Sequence, residues 1–430
     1  MLISGWGGYP RMQAHVHAPR QSHLCASWLD HVLIPRGMGR SYGDSSLAPE
    51  VLQTTGLDRL IAFDPQTGLL TAESGITLRE LLRVVVPQGW FLPVTPGTSH
   101  VTLGGAIASD VHGKNHHSAG TLGQHVVSIT MLLGTGEVVQ SSPTQMPDLF
   151  HATCGGMGLT GLILSATIQL RRVSSMVIRQ TTLKSSCLEE ACEQFEAHQE
   201  STYSVAWIDC LATGRSLGRS VMMLGEHEPH GDLVFNPKAP LTVPFHTPAA
   251  LLNPLSMSMF NAAYYTKARH KQVQQVHALP YFYPLDAVGG WNKLYGRAGF
   301  LQYQFVIPKA DGVKQMKAML QEISQSGRGS FLAVLKQFGP ANPHLLSFPQ
   351  SGYTLALDFK MSTETVALLH RLDERLMALG GRVYLSKDAV MKASTFRATY
   401  PNWEAFEAVR HRYGAVGHFA SAQSKRLGLL

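Results

Sequence analysis

Cysteine is scarce in this sequence: five residues in 430 (Cys25, Cys154, Cys187, Cys192 and Cys210), odd in number and without a C-x-x-C pair. That pattern excludes a secreted disulfide scaffold and offers no cysteine cage for a metal. Long apolar runs are missing as well, and none approaches the roughly 18 residues that span a bilayer. The opening Met-Leu-Ile-Ser-Gly-Trp has neither a basic n-region nor an apolar core. The expectation is a cytoplasmic protein without a signal peptide, at most peripheral at the inner face of the cell membrane. Charged residues make up only 15% beside 44% hydrophobic, which excludes a disordered or coiled-coil chain. Basic residues outnumber acidic ones, 36 − 29 = +7, yet no Lys/Arg-rich run occurs. This suits phosphates or a lipid surface and argues against nucleic acid.

Glycine is abundant, and 12 of the 65 positions from Gly97 to Gly161 are glycine. Short β-like runs at 32–35, 69–74, 126–133 and 162–170 frame these turns, and Gly134-Thr-Gly136 reads as a hairpin. Thr77-Leu-Arg-Glu80 is a capping box that opens a helix. After about residue 174 the texture changes. A second capping box at Ser186-Cys-Leu-Glu189 and helical spacing over 311–325 and 362–379 alternate with strands at 203–211, 301–307, 331–336 and 353–359. This alternation predicts a sheet with helices on one face.

Gly156-Met-Gly158-Leu-Thr-Gly161 formally matches G-x-G-x-x-G, but it follows a predicted helix and precedes a strand, the reverse of a Rossmann turn. Arg36-Gly-Met-Gly-Arg-Ser-Tyr-Gly-Asp44 is more informative. Its glycines let backbone N–H groups converge on an anion, and Arg36 and Arg40 can add charge-assisted bonds. A second glycine-rich loop runs from Pro96 to His117. Two such loops about 60 residues apart fit a long dinucleotide better than a short nucleotide. His112 and His116 stand four apart, but Gly113 and Asn115 oppose a helix between them, and no metal is expected.

Residues 237–265 are apolar and broken by proline, with Leu251, Leu252, Leu255, Met257, Met259, Phe260, Tyr264 and Tyr265, and are followed by Lys267, Arg269 and Lys271. Such a segment either lies on an anionic membrane or packs on its own protein. Pro254 is expected to break a helix there.

Three motifs together, the Arg36–Asp44 loop, P-G-T-x-x-V-T-x-G-G-A-I-A from Pro96, and G-G-x-G-L-T-G, resemble the FAD-binding domain of the vanillyl-alcohol-oxidase type. Within that fold, D-V-H-G-K-N-H-H-S-A-G at 110–120 is similar to the decaprenylphosphoryl-β-D-ribose 2′-oxidase family. The likeness continues through 206–209, 299–308, 346–349 and 381–388. It implies an α+β protein of two domains. An FAD-binding domain over 1–173 regains the chain at 382–430, and an inserted substrate domain over 174–381 carries a mainly antiparallel sheet.

The resemblance implies FAD held by Arg36, Gly37, Gly39, Arg40, Ser41, Tyr42, Gly43 and Asp44, then by Gly97, Thr102, Leu103, Gly104 and Gly105. Ser109, Asp110, Val111, His112, Ile163 and Tyr384 complete that set. The first loop reads G-M-G-R-S-Y with no histidine, which implies noncovalent FAD. Lys387 and His112 are the candidate bases for a secondary alcohol, and the sequence leaves the choice between them open. Gln302 and Gln304, two apart on a strand, point to one face and suit sugar hydroxyls. Trp207, Asn292, Lys336 and Phe338 join that pocket by resemblance, with Lys114 placed to meet substrate phosphate. Where many relatives carry a cysteine that nitroaromatic inhibitors capture, this sequence has Ala356.

The implied activity is oxidation of C2′ of a polyprenylphosphoryl ribose, the first step of epimerisation to an arabinose donor for cell-wall arabinan. A separate NAD-dependent ketoreductase would act as partner. An oxidase of a free sugar, alditol or aldonolactone, and a catalytically silent flavin-binding protein, are the alternatives.

Overall fold

The computed structural model describes residues 1–237, 241–247, 253–330 and 332–429. Leu251, Leu252 and Phe331 lie outside these. The first 173 residues form a three-stranded and a five-stranded sheet beside two two-stranded ribbons, Leu2–Ser4 with Arg11–Gln13 and Trp90–Phe91 with Arg171–Arg172. In the three-stranded sheet, His15–His17, Glu50–Gln53 and Leu33–Arg36 run parallel, with Glu50–Gln53 in the middle. The five-stranded sheet is antiparallel, in the order Val138–Ser141, Val126–Leu132, Leu162–Gln169, Leu69–Glu73, Leu60–Phe63. Gly136, at φ +84°, turns the hairpin between Val126–Leu132 and Val138–Ser141, a conformation glycine takes without strain.

The helix Leu78–Val85 carries the expected capping box between Thr77 and Glu80 and buries Leu78, Leu81, Leu82 and Val85. A second helix, Leu103–Ala108, is hidden in the sequence by its glycines; Thr102 caps it by accepting from the Gly105 N–H at 3.2 Å. The Gly156–Gly161 turn joins the helix Pro147–Thr153 to the strand Leu162–Gln169, the order that excludes a Rossmann turn.

The second unit is built on an eight-stranded sheet, antiparallel at every pairing. Its order is Gln272–His277, Val177–Ser185, Ser220–His227, Tyr203–Ile208, Ala333–Phe338, Gly352–Lys360, Phe300–Pro308, Arg382–Val383. Strand side chains alternate between faces. Tyr303, Phe305, Leu335, Leu355 and Leu357 pack with Met316, Leu320, Leu369 and Leu372 of the helices Gly312–Gln325 and Thr363–Ala378. The opposite face, carrying Gln302, Gln304, Val334, Lys336 and Ala356, turns toward the first unit.

The chain then returns. Phe419 bridges Leu33, and fully buried Arg410 donates to the Leu159 carbonyl at 3.0 Å and the Phe419 carbonyl at 2.9 Å.

Two local expectations are corrected. The helix Leu188–Ala197 is capped at Cys187, and Ser186 donates from its N–H and Oγ to Glu190, so no capping box joins Ser186 to Glu189. Pro254 starts the helix Pro254–Lys267 at its first turn, where the missing N–H is harmless, and Asn253 caps it.

Candidate active site

A cavity of about 850 Å³ runs between the two units. This is near the upper end of the roughly 300–1,000 Å³ usual for ligand sites. One wall is the Arg36–Tyr42 loop, with Gly37, Gly39, Arg40 and Ser41 lining it. The loop is locked from behind: Trp6 N–H donates to the Ser41 carbonyl at 2.8 Å and Tyr42 N–H to the Ser386 carbonyl at 2.9 Å. A Cβ on Gly37 would lie 2.2 Å from Thr102 Oγ1, so only glycine lets the two glycine-rich loops meet. From the second loop come Gly97, Thr102, Gly104, Gly105, Ser109, Val111 and His112, joined by Ile163 and Tyr384. Around Gly97 a Cβ would meet nothing within 4 Å, leaving bare backbone toward the cavity.

The far wall is the inner face of the large sheet. Every strand except Arg382–Val383 contributes to it, Trp207, Gln302, Gln304 and Lys336 among their side chains. Lys114, from the second glycine-rich loop, and Lys387, from the short 3-10 helix Leu385–Lys387, also line the cavity. Gln304 Nε2 donates to His112 Nε2 at 2.9 Å. His112 packs edge-on against Phe338 and beside Tyr384, at centroid distances of 4.9 and 5.1 Å. Burial, then the neighbouring Lys336, holds its imidazole well below the usual range, so it is neutral. With Nε2 accepting, Nδ1 carries the proton.

Three half-buried lysines, screened from bulk water by the cavity walls, set the electrostatics. Burial pulls Lys114 down to about 7, with Lys336 adding to it, and pulls Lys336 down to about 8. Lys387 is lowered by burial and pulled back up by Asp358, and its Nζ lies 3.9 Å over the Tyr42 ring. Lys114 donates to the Tyr281 carbonyl, and Lys336 reaches the Gly113 carbonyl only at 3.5 Å. Four buried polar atoms of cavity-lining residues have no partner within the protein: Ser74 Oγ, His112 Nδ1, Tyr281 Oη and Gln302 Oε1. Bare glycine backbone, excess cationic charge and unpartnered polar atoms together fit a large anionic dinucleotide and a further polar ligand.

Several residues expected at the site fall elsewhere. Asp44 accepts two bonds from Arg426, at 3.0 and 2.7 Å, away from the cavity. Gly43 backs onto the Asp388 carbonyl, and Leu103 is buried in the core. Asp110 accepts from Gly123 N–H at 3.0 Å, Asn342 at 2.8 Å and Ser347 at 2.5 Å, a structural knot behind the site. Asn292 donates to the Trp6 carbonyl at 3.2 Å. Phe338 shapes the site only by packing on His112 and His116. Arg36 lines the cavity, but its guanidinium donates to Ser46 and the Ser4 carbonyl and so braces the loop. Arg40 stacks on Trp6 at 4.2 Å.

The histidines from His100 to His125 disperse to separate partners: Arg79, Gln304, the Gly339 N–H, and the Ser201 and Ala119 carbonyls. Trp6, Ser74, Tyr281 and Asp286 line the cavity without any local motif to mark them.

Residues 22–142 match the FAD binding domain family. A decaprenylphosphoryl-β-D-ribose oxidase of Mycolicibacterium smegmatis is 37% identical over 415 residues, spanning 93% of this chain and 89% of that protein. An uncharacterized protein of Streptomyces coelicolor is 31% identical over 374 residues, covering 82% of this chain and all of its own length. L-gulonolactone oxidase of Bos taurus is 30% identical over 144 residues, 33% of this chain and 31% of that enzyme. The chain therefore belongs to the FAD-dependent oxidoreductases of the vanillyl-alcohol-oxidase type.

Proposed function

The chain belongs to the decaprenylphosphoryl-β-D-ribose oxidase family, and on that footing we propose that it oxidises the C2′ hydroxyl of a polyprenylphosphoryl-β-D-ribose to the 2′-keto sugar. The observation that carries this reading is the cavity itself: one continuous space lined by both glycine-rich loops, a polar sheet face and three lysines. FAD, when bound, supplies the hydride acceptor.

Gln302 and Gln304 project from one strand face and orient the ribose hydroxyls. Lys387 takes the hydroxyl proton. His112 is ill suited to that step, because its accepting nitrogen is occupied by Gln304 and its imidazole is already neutral with the proton on Nδ1. It serves instead as a donor and as a wall. Lys114, held on the Tyr281 carbonyl and ring, and Lys336, over the Phe338 ring, are half-buried cations with no carboxylate partner among the described residues, and a substrate phosphate would offset both charges.

The polyprenyl chain leaves by the mouth, where Phe260 and Tyr264 line the cavity. Beside it Leu255 and Met259 are 71% and 65% exposed, and Leu241 and Phe245 also stand in solvent. Lys267 follows on the same helix. This surface suits peripheral contact with an anionic membrane. No helix among the described residues is long and apolar enough to cross one. The keto product calls for an NAD-dependent ketoreductase to complete an epimerisation, and the cytoplasmic face of the membrane suits both.

A free-sugar or lactone oxidase would need neither the paired lysines nor the apolar mouth. The lactone oxidases also align with only a third of this chain. Incubation with a prenylphosphoryl ribose and an electron acceptor, followed by NMR of the product, tests the reading. A 2′-ketone is expected. Turnover of gulonolactone or xylitol in its place would overturn it.

A further inference from the structure

A hydrogen bond has a direction, and on the polar sheet face two groups that can only accept fix it. Gln302 and Gln304 lie two apart on the strand Phe300–Pro308. Thr354, Ala356 and Asp358 of the neighbouring strand Gly352–Lys360 pair with it in register and share that face. Thr354 Oγ1 donates its hydrogen to the Phe305 carbonyl at 2.8 Å, and a carbonyl oxygen only accepts. The hydroxyl has lone pairs alone left for Gln304, whose Nε2 donates to it at 3.2 Å and to His112 Nε2 at 2.9 Å. Both amide hydrogens of Gln304 are then spent, and its Oε1 is the atom that remains for a ligand.

At Gln302 the fixed acceptor is the Asp358 carboxylate. Gln302 Nε2 donates to Oδ1 at 2.5 Å, and Tyr295 Oη donates to Oδ2 at 3.2 Å. Asp358 and Thr354 have no solvent exposure, so water does not compete for these bonds. Gln302 Oε1, at the other end of the amide, is buried without a partner among the described residues.

We propose that Thr354 and Asp358 are positioning residues that hold both glutamine amides with Oε1 left for the ligand, making a two-acceptor site that selects a substrate by hydroxyls able to donate. The inference rests on the assignment of this strand face to the sugar and deepens it.

An amide free to turn offers nitrogen as readily as oxygen, and so takes an ether, a ketone or a fluorine as well as a hydroxyl. The locked amides do not. A ligand that cannot donate leaves a carbonyl oxygen buried and unpaired, and such a mismatch discriminates more sharply than a missing methylene. A phosphate diester only accepts, so it has no place on this face and is left to Lys114 and Lys336.

The test begins on FAD-loaded protein without substrate, its glutamines labelled with ¹⁵Nε. The Gln302 and Gln304 signals are assigned by their loss in Gln302→Met and Gln304→Met. Both amides should exchange hydrogen with solvent far more slowly than exposed glutamines, and Thr354→Val should speed exchange at Gln304 alone. Next, kcat/KM is compared between prenylphosphoryl ribose and its 3′-deoxy-3′-fluoro and 5′-deoxy-5′-fluoro analogues, in which fluorine fills the place of a hydroxyl but cannot donate. The protein should disfavour at least one analogue by about tenfold or more. Thr354→Val should lose most of that preference, and Thr354→Ser, which keeps the hydroxyl, should retain it. Asp358→Asn, whose own amide can turn its NH₂ toward Gln302, should lose it too and carries the test if Thr354→Val does not fold. Fast exchange at both glutamines, equal kcat/KM for hydroxyl and fluorine in a protein that oxidises the ribose, or an unchanged preference in the folded variants overturns the proposal. Slow exchange with no oxidation of the ribose leaves the locked amides standing and overturns the substrate reading instead.

Discussion

His112 accepts a hydrogen bond from Gln304 across 2.9 Å, joining residues 192 positions apart. One belongs to the glycine-rich half proposed to hold FAD and the other to the strand face proposed to hold the sugar. The contact fixes the imidazole tautomer and links the two units where they meet. Gln304→Leu should leave FAD bound, free the His112 ring to turn, and lower kcat/KM by at least tenfold. Flavin content and steady-state kinetics would show both effects, and unchanged kinetics would remove the contact from the site.

Lys387→Ala should also keep its FAD. A lost general base lowers kcat and kcat/KM together, by about 10²–10⁴-fold. Anaerobic stopped-flow reduction measures this directly, and wild-type rates would exclude Lys387 from the chemistry.

FAD should leave with acid, because the Gly37–Ser41 stretch of the first loop offers no histidine for attachment. Yellow colour in the supernatant of an acid precipitate is the expected result. Fluorescence that stays with the denatured polypeptide on a gel would contradict it.

The half-buried lysines predict how stability depends on pH. Lys114 and Lys336 sit at about 7 and about 8 when folded, below the roughly 10.4 of an unfolded lysine. The unfolded chain therefore binds more protons between those values, and stability must rise with pH across the interval. The penalty is fully present below the folded value and is relieved as pH climbs. Thermal melts of FAD-free protein should shift upward from pH 7 to 9, by up to about 1.4 kcal/mol per pH unit for each lysine. Lys114→Met should flatten the slope, and a midpoint that falls across this range would contradict the burial argument.

Ala356 lies between Gln304 and Val334 in the sheet register, in the cavity wall. Ala356→Cys would place a thiol there, and incubation with a nitroaromatic inhibitor and substrate should yield a protein adduct by mass spectrometry. Wild type should yield none, since Cys210 is buried against Ser330 outside the cavity. A wild-type adduct would overturn this reading of position 356.

The phosphate-type loops are legible in the sequence because glycine acts locally: a nest needs only backbone and a permissive φ. Carboxylates mislead because their partners are remote. Asp44 looks like a ligand contact beside Gly43, yet it answers Arg426 at the far end of the chain. Asp110 is likewise claimed by Asn342 and Ser347. Asp358 carries no signal at all, since its meaning comes from a strand register with Gln302 that sequence cannot supply. Pro254 reads as a breaker because its place in the first turn depends on where Asn253 caps the helix.

The proposed substrate is a lipid-phosphate-linked ribose rather than a free sugar. The most direct measurement is the flavin absorbance of the anaerobic protein on mixing with a synthetic prenylphosphoryl-β-D-ribose, with ribose and xylitol as controls. Rapid bleaching by the prenylphosphoryl sugar alone is the predicted result. Bleaching by ribose or xylitol at a comparable rate, or none by the prenylphosphoryl sugar, would contradict it.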